Sequence, residues 1–167
     1  GPTAMGLVKL FNDSDEGKTE VKYEYKILNT PFPIPQQRNY AWHVPGKLDT
    51  ARMREAAALL VGEHDFKSFC CVRTQTETTV RHIYGLEILE QDAYGAKMFT
   101  IRITGNGFLY NMVRIITGTL LEVGKGDYPP EKVKEILAAK DRKMAGATAR
   151  PEGLTLVQIR YPEWDFE

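Results

Sequence analysis

Arg114 is the residue of this chain whose surroundings most plainly call for chemistry. It sits in GFLYNMVRIITGTLLEVGKG, residues 107–126, a stretch that reads mostly as a helix and is apolar on nearly every side. A guanidinium keeps its proton, and its planar fork fits a carboxylate or a phosphate at two points. The positions one helical turn away, 110, 111, 117 and 118, are Tyr, Asn, Thr and Gly. None of them carries an anion. A buried cation left unpaired is strongly destabilising. The pattern leaves two readings open: the side chain runs out to water along its aliphatic stem, or an anion arrives from outside the helix. Gly118 lowers the wall beside the guanidinium, so another chain segment or a ligand can come close.

The other reactive residue types point to less. His43, His64 and His82 lack metal-ligand spacing, and with Cys70 and Cys71 they make no zinc signature. Adjacent cysteines rarely meet disulfide geometry, so no disulfide framework is implied and a reducing compartment fits. The basic run Lys140 to Lys143 reads as a helix C-terminus complementing its dipole. The 22 Lys and Arg balance the 22 Asp and Glu. A domain of zero net charge does not grip nucleic acid by bulk electrostatics, so any such role needs a local patch or a shaped site. No run of about 18 apolar residues occurs, which predicts a soluble, cytoplasmic protein.

The elements that must hold Arg114 can be read from periodicity. Val21 to Leu28 alternates apolar and charged residues, the pattern of a half-buried strand. Three prolines forbid a regular element in NTPFPIPQQRN, and YAWHVP reads as a short extended piece. Asp49 precedes a helix over residues 50–61 with Met53, Ala56, Ala57 and Leu60 on one face. GEHDFKSFCCVRTQTET is loop-like. TVRHIYGLEILE and AKMFTIRITG are strands about a turn near QDAYG. In the Arg114 helix, at about 100° per residue, Leu109, Met112, Val113, Ile116, Leu120 and Val123 form the stripe facing a sheet. Tyr110, Arg114 and Gly118 form a second row. Pro129 and Pro130 open another helix to about Ala139, an Ala- and Gly-rich loop follows, and LTLVQIRY is the last strand. The length suits one domain. The order predicts an α+β fold, a mixed or antiparallel sheet with helices on one face, related to the ferredoxin-like unit.

Several of these stretches, in order, resemble a known family. GFLYNMVRIITGTLLEVGKG closely resembles the most distinctive C-terminal motif of the TruA family of tRNA pseudouridine synthases. HDFKSFC with TTVRHIYGLEI, AGATARPEGLTL, KYEYKILN and YAWHVPGKLD also match in order and spacing, so the resemblance runs from Val21 to Tyr161. It implies half of a pseudouridine synthase fold and no metal or organic cofactor. It implies that the substrate is tRNA, at positions 38 to 40 of the anticodon stem-loop. It further implies that Arg114 pairs with a catalytic aspartate, that Tyr23 stacks on the target base, and that Phe108, Leu109 and Tyr110 form an apolar floor beneath it. From residue type alone Tyr23 or Tyr25 reads equally as core, and Leu109 as sheet-facing core. Arg73, Arg81 and Arg150 are candidate contacts to tRNA phosphates, against the plain reading of solvated surface arginines.

The family's nucleophilic aspartate lies in a Gly-Arg-Thr-Asp-Ala-Gly-Val-His segment of an N-terminal domain, and no such segment occurs here. Residues 1–20 match nothing in the family, and the opening GPTAMG reads as a cloning scar. The expectation is therefore a C-terminal domain over residues 21–167, inactive alone. Its partners would be its own N-terminal domain, tRNA, and a second copy in a homodimer. The rival is a stand-alone α+β module that binds an anion or RNA without catalysis. A small phosphate hydrolase would need a base and an oxyanion loop that the chain does not show.

Overall fold

The alternation of Val21 to Leu28 becomes β1 (Glu20–Asn29), the strand around which the fold is built. In the computed structural model, which describes residues 18–71 and 78–161, the remaining elements are β2 (Trp42–His43), α1 (Thr50–Leu60), β3 (Gly62–Asp65), β4 (Val80–Ala93), β5 (Ala96–Gly105), α2 (Met112–Gly124), α3 (Lys132–Ala139) and β6 (Leu154–Arg160). One edge of β1 pairs antiparallel with β5, which continues to β4 and β3. The other edge is shared: β6 runs antiparallel to Glu20–Tyr25, and β2 runs parallel to Ile27 and Leu28. The result is an α+β fold with a mixed sheet of six strands.

Alternation decides which face is which. Tyr25 and Ile27 enter the core with Ile83, Leu86, Ile101 and Ile103, under the buried faces of the three helices. On the opposite face Arg102 bridges Glu24 at 2.8 Å and Glu87 at 3.4 Å. Helix α1 starts at Asp49, whose carboxylate accepts from the backbone N–H of Arg52, and buries Met53, Ala56, Ala57 and Leu60 as the periodicity predicts. Gly124 of α2 lets α1 come close, since a Cβ there would lie 2.6 Å from the sulfur of Met53. No helix among the described residues is long and apolar enough to cross a membrane.

Three expectations need correction. GEHD is a strand, β3, paired with Val80–Ile83, although four residues with two acids show no alternation. Pro129 and Pro130 lie in the turn before α3, accepting from Lys132 and Val133, and the helix starts at Lys132. Helix α2 starts at Met112, not near Gly107. Asn111 holds a left-handed backbone, φ 62°, which no α-helix continues through. Phe108, Leu109 and Tyr110 therefore precede the helix, and Tyr110 is not in a row with Arg114.

The Ala- and Gly-rich loop, residues 145–153, is a strap pressed along α2 and onto β1. A Cβ on Gly118 would lie 1.8 Å from the carbonyl oxygen of Ala147, so only glycine lets the strap lie there. Thr119 Oγ1 accepts from the N–H of Gly146 while donating to Ile115 O. Past Ala149, the strap crosses to the sheet, where Tyr25 donates its hydroxyl proton to Arg150 O, and Gly153 sits against the Tyr25 ring. Burial pushes the Tyr25 hydroxyl well above the usual tyrosine range; the Glu152 carboxylate adds to this, and Arg114 and Arg150 partly offset it.

Replacing Gly118 with Ala should lift the strap, at a cost of roughly 2 kcal/mol or more by overpacking. A thermal melt should then show Tm lower by about 4–8 °C; an unchanged melt would sink the close-approach account. Tyr25→Phe should cost about 1 kcal/mol near neutral pH by leaving a buried carbonyl without its donor. The native state holds the Tyr25 proton more tightly than the unfolded chain. That stabilisation is full below the unfolded tyrosine pKa, about 10, and is lost as the pH rises toward the higher native value. Denaturant midpoints of the two proteins should therefore converge above about pH 10, and a constant gap would contradict the buried hydroxyl.

Candidate active site around Arg114

Arg114 lies in the first turn of α2, half-buried, with its row neighbour Gly118 covered by the strap. Its Nε donates to Ala149 O at 2.7 Å, and Nη1 donates to Asn111 Oδ1 at 3.2 Å. The backbone answers in kind, since Ala149 N donates to Arg114 O at 3.0 Å. Neither reading left open by the pattern is complete. The side chain is not turned out to water, and no carboxylate among the described residues lies within 4.0 Å of it. Two neutral oxygens orient the guanidinium without cancelling its charge. Both Nη2 protons and the second Nη1 proton lack a partner among the described residues, which leaves the end-on fork for an anion.

Tyr23 lies two residues from Tyr25 on the same strand face, partly buried. Its ring meets Phe108 edge to face, with centroids 5.6 Å apart and planes at 81°. The sheet is irregular on both sides of this position. Opposite Lys22 and Tyr23 the register of β6 skips Val157, and between Ile83 and Gly85 the register of β4 skips Tyr84. Bulges bend a strand and re-aim its side chains. The link from β5 to α2 is pinned to β4, as Asn106 N donates to His82 O and His82 N donates to Asn106 Oδ1. That link carries Phe108 against Gly105, where a Cβ would meet the ring at 3.2 Å.

Of the residues singled out in the sequence, the fold brings Tyr23 and Phe108 into contact, and it places Arg114 beside the strap that Tyr25 holds. Leu109 is buried core. Tyr110 stands 67% exposed at the helix entrance. Arg150 follows the carbonyl that Arg114 grips, but its guanidinium turns to Glu152 at 2.9 Å. Arg81 donates to the carbonyls of Thr78 and Val80 and lies beside Gly107. Arg73 lies outside the described residues. Sequence reasoning passed over Asn111, Tyr25 and the Ala149 carbonyl. A cleft of about 550 Å³ adjoins the strap, lined by Arg38, Trp42, His43, Arg150 and Glu152 among others. Among the described residues no three His, Cys, Asp or Glu side chains are placed to hold a metal ion.

Comparison with known proteins agrees with this arrangement. A family model described as tRNA pseudouridine synthase matches residues 56–162. The chain is 44% identical over 146 residues to the tRNA pseudouridine synthase A of Listeria innocua, covering 87% of this chain and 58% of that protein. It is 48% identical over 140 residues to the proteins of that name from Bacillus pumilus and Brevibacillus brevis, covering 84% of this chain and 55% and 56% of theirs. The chain thus spans a little over half the length of the curated relatives it matches. With the match covering the strands, helix α2 and the strap that frame Arg114, the chain belongs to the tRNA pseudouridine synthase family.

Proposed function

We propose that this chain is the part of a tRNA pseudouridine synthase that orients the nucleophilic carboxylate and receives the target uracil. The observation that carries the reading is the state of Arg114: half-buried, held by Ala149 O and Asn111 Oδ1, and left with an end-on fork. An arginine so held binds a carboxylate in one orientation. The carboxylate is that of an aspartate in a domain outside these residues. Tyr23, braced by Phe108, stacks on a uracil taken out of the anticodon stem-loop, as an aromatic face receives a flipped base. Tyr110 and the arginines Arg81, Arg150 and Arg73 serve the surrounding RNA.

In that reaction the aspartate attacks the uridine and the bond from the ribose to N1 breaks. The base turns, and C5 bonds to the ribose carbon in place of N1. C5 gives up its proton and N1 takes one, so the product is an isomer. Arg114 keeps the aspartate ionised and aimed, and Tyr23 holds the base plane while it turns. No cofactor enters this scheme.

The edge of the sheet next to the site supports a neighbouring domain. Leu156, Val157 and Ile159 of β6 are each 45–47% exposed, and among the described residues β6 pairs with β1 alone. Apolar side chains on an open edge strand suit a surface that another part of the protein covers. The parent is proposed to act in the cytoplasm as a homodimer.

The test uses the longer protein with its Gly-Arg-Thr-Asp segment and measures tritium release from C5-labelled uridine in an anticodon stem-loop. Arg114→Lys should lower conversion by about two orders of magnitude, because a point charge does not hold the carboxylate's angle. Full activity in that variant would remove Arg114 from the role. The chain of 167 residues alone should release none.

A further inference from the structure

A protein of zero net charge that handles RNA must concentrate its cations, and the described structure does so at one place away from Arg114. The run after α3, Lys140 to Lys143, bends back onto the short turn Lys67–Phe69, where Asp141 N donates to Ser68 Oγ at 2.8 Å and Ser68 donates to Ile136 O. Between them lies a concavity of about 460 Å³ walled by Lys67, Lys140, Arg142 and Lys143, with Thr79 and Asp141 among its other lining residues. The sequence reads the KDRK run as an ordinary helix end. The fold makes it one side of a pocket.

The carboxylates nearby are occupied with backbone and hydroxyl donors. Asp141 Oδ1 accepts from Lys143 N at 3.0 Å. Asp65 Oδ1 accepts from Lys67 N and from Thr79 Oγ1, and its other oxygen is 3.8 Å from Lys140 Nζ. The ammonium groups of Lys67 and Lys143 have no carboxylate within 4.0 Å among the described residues. Arg142 is fixed instead of free: Nη1 donates to Gly146 O at 2.9 Å and Nη2 to Thr148 Oγ1 at 3.1 Å. It ties the pocket rim to the strap that grips Arg114.

We propose that this pocket binds a backbone phosphate of the RNA whose uridine enters at Tyr23, a proposal that rests on the RNA-acting reading above. The lining contains no aromatic ring to hold a base, and lysine is a point charge without a fixed fork, so the pocket reads backbone and not sequence. Lys143 lies six residues before Ala149, and that length of chain spans at most about 20 Å. One stem-loop can therefore reach both places, and the strap sets their separation.

The test is binding of an anticodon stem-loop RNA to this chain across about 50 to 200 mM salt. Lys67→Gln with Lys143→Gln should reduce the slope of log affinity against log salt by about two, since each phosphate contact contributes nearly one. The pair Lys47→Gln with Lys125→Gln, which removes the same charge outside the pocket, should leave the slope unchanged. Equal loss in both pairs, an unchanged slope in the pocket pair, or no RNA binding by the chain each overturns the proposal. In the longer parent, the pocket pair should raise the KM for the stem-loop. Conversion with an unaltered slope and KM would retire the pocket and keep the synthase reading. A lowered slope without any conversion in the unsubstituted parent would do the reverse.

Discussion

The absence of one side-chain carbon, the Cβ of residue 118, is the constraint on which the rest of the site depends. The Ala147 carbonyl occupies the space that Cβ would take. With the strap lying that low, Ala149 reaches Arg114 twice, donating its N–H to the Arg114 carbonyl and accepting from Nε. The next residue then presents its carbonyl to Tyr25, and Gly153 passes under the Tyr25 ring before β6 begins. The position of β6 along β1 is thereby tied to the helix that carries the arginine. Helix, strap and sheet edge share one geometry because a single contact is closer than any other residue allows.

That contact also settles how a cation can be half-buried and still useful. A carboxylate from the same chain would stabilise Arg114 but would occupy the fork that an incoming anion needs. Leaving it unpaired would carry a large desolvation penalty. Two neutral acceptors lie between these extremes. They satisfy particular N–H groups and fix the plane of the guanidinium, while the net charge stays. The left-handed Asn111 serves the same end. It stops the chain from entering the helix a turn earlier, and it brings its own amide oxygen to Nη1.

Much of this was legible in the residues, though unevenly. Strands β1, β4, β5 and β6 and helix α1 each declare a period, because each buries one face. β3 does not, since Gly62 to Asp65 pairs by backbone along a sheet edge with little to bury. The helix start was misplaced because apolar residues continue upstream of Asn111. Hydrophobicity reports burial there, and burial persists in Leu109, but the backbone has already left the helix. The lone charge and the glycine one turn on pointed to a close approach, and the family resemblance supplied Tyr23. The Ala149 carbonyl was invisible for a simple reason: a backbone acceptor has no residue type, and a loop of small residues says only that something passes near.

The setting of Tyr23 shows why small irregularities matter more here than the regular sheet. A strand in uniform pairing presents its side chains at fixed angles, and a ring on it packs flat into the core, as Tyr25 does at full burial. Around Tyr23 the pairing slips on both sides, by Val157 in β6 and by Tyr84 in β4 beyond β5. Slips of this kind increase the local twist. The ring remains only partly buried, and its one aromatic neighbour meets it at a near right angle. In a perpendicular pair one ring offers its edge and the other a face, so Phe108 occupies at most one face of Tyr23. The other face is not taken by that pair. Core packing braces the ring from one side, and the bend of the sheet turns the opposite side toward the same opening that the Arg114 fork faces in the proposed reaction.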